Sequence, residues 1–371
     1  MSFDGLKSGC NPQCRACSHR LMTAEQSLAQ KEGFVTRTLS NWAQLIHPII
    51  SVEEEKRWGY RTSVTLSAKW NGESWLFGTR SMDEVIPIPH CPIHHPLING
   101  VVDILSSKLP PFEHFPLAFL TQSKSQCVLI VKSKPISEMH WLTPELISSL
   151  QQVGVDGFWM HFNPSSGRRL YEKGGWVNLF GNTRTFDAYG LVYGPTSFQQ
   201  QIAELYHDSL NKVETFLAPN SNSSVVDLYC GTGSSLARWH QNEAECFGVE
   251  TSAEAIECAT TNAPSAQVVR GSCRLRIPQI DQWVEHQKNT GKKILLYANP
   301  PRTGMEPEVL KWIVDKGKPD RIAYLSCSPG TLAKNLHFLC QNGYQVSSIQ
   351  PYDFFPNTHH VECLALLKRL D

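Results

Sequence analysis

The chain has 371 residues, 41% hydrophobic and 18% charged, which excludes a disordered or fibrous protein and allows two or three ordinary domains. Its 34 basic and 34 acidic residues cancel, so net charge announces no polyanionic partner, although a basic stripe balanced by acid elsewhere would give the same sum. No apolar run approaches the roughly 18–20 residues that span a bilayer, and MSFDGLKSGCNPQC has no apolar centre for a secretion signal. The expectation is a cytoplasmic protein without a membrane partner, and nothing demands more than a monomer.

In chain order, residues 1–57 read as an arm that carries cysteines and leads into a helix, TAEQSLAQKEGFV. Cys10, Cys14 and Cys17 fall within eight residues. Packing does not explain that spacing, and a reducing compartment disfavours disulfides, so a bound metal is expected. A zinc ribbon would show a second CxxC knuckle, and none follows. A lone later cysteine before proline, Cys91-Pro92, resembles iron–sulfur ligation; His90, His94 and His95 are alternative ligands. Cys246, Cys258 and Cys340 sit in periodic apolar segments and read as small core residues.

Residues 58–195 alternate apolar and polar character between Gly, Pro, Asn and Ser punctuation, as in YRTSVTLSAKW, CVLIVKS, GFWMHFN, WVNLFG and TFDAYGLVYG. They predict a mainly β central domain with one or two helices, which would supply Cys91 and contact RNA. From residue 196 to 371 strand and helix alternate, which predicts a parallel, doubly wound α/β sheet of Rossmann-like type. VVDLYC, ECFGVE, KILLYANP and RIAYLSC are its buried strands, ECLALLKRL is a last strand, and SSLARWH, SAEAIECATTNA and GTLAKNLHFLCQNG are helices.

The turn Cys230-Gly231-Thr232-Gly233 would let a ligand approach the backbone closely. Glu250, at the end of the following strand, is placed to accept hydrogen bonds from ribose hydroxyls. The third glycine of a dinucleotide turn is replaced by Leu236, which disfavours a pyrophosphate cofactor and suits adenosylmethionine. Asn299-Pro300-Pro301-Arg302 puts an amide and a stiff turn at a strand's carboxyl end. Enzymes that methylate exocyclic amines usually carry an aromatic residue where Arg302 stands, so that chemistry is disfavoured.

Cys327 ends the next strand, over the same edge as Asn299. A helix expected to start near Thr331 could lower its thiol pKa through the N-terminal dipole. Carbon 5 of uracil does not attack a sulfonium methyl unaided; a thiolate added at carbon 6 makes it nucleophilic. A base must then remove the carbon 5 proton. Glu362 is the best-placed carboxylate, with Asp353, His359 and His360 as groups that could orient it.

Four blocks, DLYCGTG, NPPRTG, YLSCSPGTLAKNL and YDFFPNTHHVE, resemble in order the RNA uracil-5 methyltransferases of bacterial ribosomal and transfer RNA. The resemblance covers nearly the whole chain. It is nearest to the 23S ribosomal RNA branch that lacks an N-terminal β-barrel (TRAM) domain. It implies a class I methyltransferase domain using S-adenosylmethionine, with RNA as partner and ribosomal RNA favoured over transfer RNA. Carried over by position, the nucleophile falls on Cys327, the proton acceptor on Glu362, and cofactor contacts on Gln200, Tyr229, Glu250 and Asn299. The Gln block normally continues to an Asn where this chain has Ile202, so Gln199 and Gln201 compete with Gln200. The residue after the nucleophile, usually Asn, is Ser328. The resemblance also implies a [4Fe-4S] cluster on Cys10, Cys14, Cys17 and Cys91, with a shorter first spacing than in relatives.

The competing readings are a cytosine-5 methyltransferase, which would carry a second Cys where Arg302 stands, and an inactive iron–sulfur RNA-binding or assembly factor on the same scaffold. An NAD-dependent oxidoreductase fails on the glycine pattern, and no GxSxG supports a serine hydrolase.

Overall fold

Thr23 opens the first helix, α1 (Ala24–Thr38), through a capping box in which its hydroxyl accepts from the Gln26 N–H and the Gln26 side chain accepts from the Thr23 N–H. The computed structural model describes residues 5–135, 139–165 and 170–370. Two compact units emerge. One holds Met1–Leu21, Glu53–Tyr189 and Tyr193–Gln201, the other Met22–Val52, Gly190–Val192 and Ile202–Asp371.

The first unit is built on seven strands: β1 (Ser63–Trp70), β2 (Trp75–Ser81), β3 (Glu84–Pro87), β4 (Leu117–Ser123), β5 (Gln126–Val131), β6 (Gly157–Phe162) and β7 (Trp176–Gly181). Their order is β3-β2-β1-β4-β5-β6-β7, with β5 and β6 parallel. Every residue of β5 and β6 is buried, which is why CVLIV and GFWMHF read as apolar runs instead of alternating. Helices α2 (Pro96–Lys108) and α3 (Pro144–Gln152) contribute Val101, Leu105, Leu146 and Leu150 to a core shared with Leu66, Phe77, Leu129 and Phe158. The segment TFDAYGLVYG yields only two-residue stretches of strand, Thr185–Phe186 and Val192–Tyr193. Between them the Asp187 carboxylate accepts from the Tyr189 N–H at 2.9 Å and Gly190 turns at φ +75°, a local turn that outcompetes the ladder.

The second unit carries α4 (Ala203–Leu217), then β8 (Ser223–Leu228), α5 (Ser234–Gln241), β9 (Glu245–Glu250), α6 (Ala253–Asn262), β10 (Gln267–Arg270), α7 (Cys273–Asn289) and β11 (Lys293–Ala298). It continues with α8 (Pro307–Trp312), β12 (Arg321–Ser326), α9 (Pro329–Gln341), β13 (Tyr344–Tyr352) and β14 (Glu362–Arg369). The strand order is β10-β9-β8-β11-β12-β14-β13. The first five are parallel, and β14 runs antiparallel between β12 and β13. The order reverses between β8 and β11, the switch point where open sheets bind ligands at their carboxyl ends.

Residues 1–57, expected as one arm, divide between the units. Val35 of α1 and Leu39 at its C-cap are fully buried with Val226, Leu296, Ile322 and Leu336 of the second unit. Ile46 and Ile50 form parallel bridges to Ile349 and Tyr352. Lys31 Nζ donates to Asp353 Oδ1 in a buried ion pair and to the Phe355 carbonyl at 3.0 Å, while Ser51 Oγ donates to Asp353 Oδ2 at 3.1 Å.

Candidate active site

The turn after β8 is where the backbone leaves ordinary geometry. Tyr229 has φ +61°, unusual for a residue with a side chain, and Gly231 and Gly233 have φ +55° and +78°. At Gly231 a Cβ would meet nothing within 4 Å, so open space adjoins the backbone. At Gly233 a Cβ would lie 2.9 Å from Ala259, so this glycine lets the turn close on α6. Leu236 is buried, and a Cβ on Gly248 would stand 2.7 Å from its Cδ1. The glycine missing from the turn is thus replaced by one on the neighbouring strand, with helix–sheet closeness preserved.

Glu250 ends that strand and accepts from the Gly231 N–H at 3.2 Å and from the Thr251 and Ser252 N–H groups at 2.7 and 2.8 Å. These donors fix the carboxylate beside the open turn. Tyr229 donates its hydroxyl to Glu306, and burial pushes its pKa up. Asn299 N–H donates to the Leu228 carbonyl at 3.3 Å, which joins the ends of β8 and β11 at the switch point. The open turn, a fixed carboxylate and a neighbouring amide suit an adenosine and a methionine moiety.

One strand further, the loop carrying Arg302 is clasped to α9. Asn335 Oδ1 accepts from the Met305 N–H at 3.2 Å and from the Tyr324 hydroxyl at 2.9 Å, and Thr331 Oγ1 donates to the Arg302 carbonyl at 3.1 Å. Ser328 shares a 3.0 Å hydrogen bond with Thr331, so the residue after Cys327 braces the same loop. The helix begins at Pro329, two residues earlier than expected, with Cys327 immediately before its cap.

Cys327 is half-buried and its thiol pKa is raised, not lowered. Burial is the main cause and the charge of Glu362 adds to it, while Arg302 pulls down as a charge and as a hydrogen-bond partner. The shift is opposite to the one a helix dipole was expected to give, because removal of water outweighs the groups that favour the thiolate. Glu362, at the first position of β14, is fully enclosed and pushed up to about 8 by burial, against the pull of Arg302. Its Oε2 has no partner among the described residues. The structure therefore brings Cys327, Glu362 and Arg302 into one electrostatic neighbourhood. Arg302 Nη2 also contacts His360 Nε2 at 3.2 Å. Sequence reasoning treated Arg302 only as an absent aromatic or cysteine; its place directly after the proline pair was the available signal. Asp353 is held by Lys31 and Ser51, so it belongs to the α1 anchor.

In the first unit, Gln201 accepts from the Thr62 and Ser63 N–H groups at 3.0 and 3.1 Å. That use sets it apart from Gln199 and Gln200, whose buried Oε1 atoms have no partner among the described residues. The three arm cysteines and Cys91 also lie in this unit. Gly9, at φ +84°, packs so tightly that a Cβ would collide with the His90 carbonyl, and Asn11 Nδ2 donates to the Pro87 carbonyl at 2.8 Å. These contacts seat the loop beside Cys91. Burial raises the Cys17 thiol to about 12, with added contributions from Cys91, Cys14 and Cys10. Among the described residues no three His, Cys, Asp or Glu side chains converge as a single metal ion would need.

The reversed strand inserted in a parallel sheet, with this site at its carboxyl edge, defines a class I methyltransferase. The family model described as tRNA (uracil-5-)-methyltransferase matches residues 189–370. An RNA methyltransferase of Bacillus cereus (strain ATCC 14579) is 34% identical over 96% of this chain and 81% of its own length. One from Thermosynechococcus vestitus is 28% identical over 96% and 82%. The crystal structure of Pyrococcus abyssi tRNA (uracil-54, C5)-methyltransferase with S-adenosyl-L-homocysteine shares the fold, with a TM-score of 0.71 and 19% identity over 96% of this chain and 86% of that one. The chain belongs to the RNA (uracil-5-)-methyltransferase family and is an S-adenosylmethionine-dependent enzyme of that class. No helix among the described residues is long and apolar enough to cross a membrane.

Proposed function

We propose that the enzyme methylates carbon 5 of a uridine in ribosomal RNA through a covalent adduct on Cys327. The observation that carries this reading is the placement of a half-buried thiol just past the end of β12 and an enclosed carboxyl at the start of the neighbouring β14, whose register pairs Ser326 with Cys363, with the charge of Arg302 acting on both. The Cys327 thiolate bonds to carbon 6 of the base, and the ring electrons move toward carbon 5 and the carbonyl oxygen. Adenosylmethionine, when bound, supplies an electrophilic methyl group for that carbon. Glu362, as carboxylate, then takes the carbon 5 proton; the electrons of that C–H bond restore the ring double bond and expel the thiolate. Arg302 holds both anions at lower cost than burial alone would allow.

Tyr229, Glu250 and Asn299 hold the cofactor in this reading, and the family resemblance assigns a further contact to Gln200. The target base must leave its stack, so a single-stranded loop is the expected substrate. Cys10, Cys14, Cys17 and Cys91, all in the first unit, would hold a [4Fe-4S] cluster that fastens the loop bearing the first three to the segment bearing Cys91. No step of the reaction needs electrons from it.

The test uses methyl-labelled adenosylmethionine with ribosomal and transfer RNA from cells lacking the protein. Label should enter ribosomal RNA as 5-methyluridine. Cys327→Ala should abolish it, and Glu362→Gln should accumulate a protein–RNA adduct that survives denaturation. Label confined to transfer RNA would overturn the substrate assignment, and an active Cys327→Ala would overturn the mechanism.

A further inference from the structure

On one face of the second unit's sheet lies a cavity of about 570 Å³ that runs from Arg321 and Lys368, at the end away from Cys327, along Leu366 to Leu364 and Gln350; His47, Lys212 and Phe216 also line it, and no Asp or Glu is in its wall. Arg321 and Lys368 are register partners across β12 and β14, so their side chains leave the sheet on the same face. Like charges directly opposite each other are destabilising unless something offsets them. The protein offsets this only in part. Arg321 Nη1 donates to the Phe216 carbonyl at 2.6 Å and so completes the carboxyl end of α4, and the two cations stand 5.8 and 6.0 Å from the Phe216 ring centre.

No carboxylate pairs with Lys212, Arg321 or Lys368 among the described residues, whereas neighbouring cations are engaged: Arg369 with Asp320 at 2.7 Å, Lys316 with Asp281 at 2.9 Å and Lys292 with Glu245 at 2.7 Å. In a chain of zero formal charge, affinity for a polyanion has to come from such a local excess. The apolar floor of Phe216, Leu364 and Leu366 lowers the local dielectric and strengthens the attraction.

We propose that this cavity takes a backbone phosphate of the RNA substrate, away from the target uridine; the inference rests on the reading of the chain as an RNA methyltransferase. Arg321 and Cys327 are separated by six residues of β12 and its end, about 20 Å at strand rise. The anchored phosphate therefore lies several nucleotides along the strand from the methylated base, not on the target nucleotide itself. The contact positions the RNA and reads no sequence.

The experiment compares wild type with Lys212→Glu/Lys368→Glu, leaving Arg321 in place because it caps α4. Binding of large-subunit ribosomal RNA from cells lacking the protein is titrated over a salt series, and KM for that RNA is measured. Calorimetric binding of adenosylhomocysteine reports whether the variant is folded, and Lys212→Gln/Lys368→Gln replaces it if it is not. The expected result is a salt slope smaller by about one and a KM raised roughly tenfold. An unchanged slope and KM overturn the proposal. If inorganic phosphate raises the melting temperature of wild type alone while the RNA slope is unchanged, the cavity is a free-anion site and the RNA assignment falls. A wild type that neither binds nor methylates any RNA overturns the functional reading itself, which separates the two failures.

Discussion

The carboxylate charge of Glu362 raises the thiol pKa of Cys327, and Arg302 lowers both. The carboxyl sits at about 8 and the thiol above its ordinary 9.0, so both groups are largely protonated at neutral pH in the free enzyme. Both must be ionised for the proposed chemistry. The expected pH profile of kcat/KM therefore rises through about 8 and continues toward the thiol's range, with no plateau near neutrality. Arg302→Gln should move this limb to higher pH and lower the rate at neutral pH by about tenfold or more. A profile already flat at pH about 7 would contradict the assignment.

The same shift makes stability depend on pH. The carboxyl of Glu362 is raised from 4.5 to about 8 in the folded chain. Its favourable neutral state is fully present below about 4.5 and is lost as pH rises toward 8, because the unfolded chain ionises there and the folded one does not. Glu362→Gln carries no such loss. Its melting temperature should match wild type near pH 5 and exceed it by several degrees near pH 9, a gap on the order of 3–5 kcal/mol. Parallel melting curves across that window would show that Glu362 is not enclosed in solution.

Lys31 and Asp353 join α1 to the loop before β14, and both side chains are fully buried. Lys31→Met removes the buried cation that pairs with the Asp353 carboxylate, so a loss of about 3–5 kcal/mol is expected by urea unfolding. Lys31→Met combined with Asp353→Leu should recover much of that loss, since a buried pair can often be replaced by apolar side chains at little cost. A single variant as stable as wild type would mean that α1 is not anchored through this pair.

The doubly wound half was legible because its strands are short apolar runs and its turns are marked by glycine. Cys327, Glu250 and Asn299 were placed correctly at strand ends for the same reason, since a strand's end is a local property of the chain. Three things were not local. Lys31 and Asp353 lie 322 positions apart, so no spacing announces their pairing or shows that α1 packs with the last strands. The sign of the Cys327 shift depends on how much water the fold removes, and a helix start near Thr331 suggested only the dipole. Gln201 could be told from Gln199 and Gln200 only once Thr62 and Ser63 were seen to donate to it.

The cysteine arm carries the last prediction. Gly9 against His90 and Asn11 against Pro87 hold the loop beside Cys91 through backbone contacts that do not need metal. The loop itself has little apolar material, since Cys14 is its one buried apolar side chain between residues 5 and 18. A cluster would supply the missing cross-link, and protein purified without oxygen should contain about four iron atoms per chain. Cys17→Ala or Cys91→Ala should bring iron close to zero and lower the first unit's melting temperature by several degrees, as loss of a bound metal removes its share of folding free energy. Iron content near zero in anaerobic wild type, with the melting temperature unaffected by chelator, would leave the four cysteines without a cluster and the arm held by its backbone contacts alone.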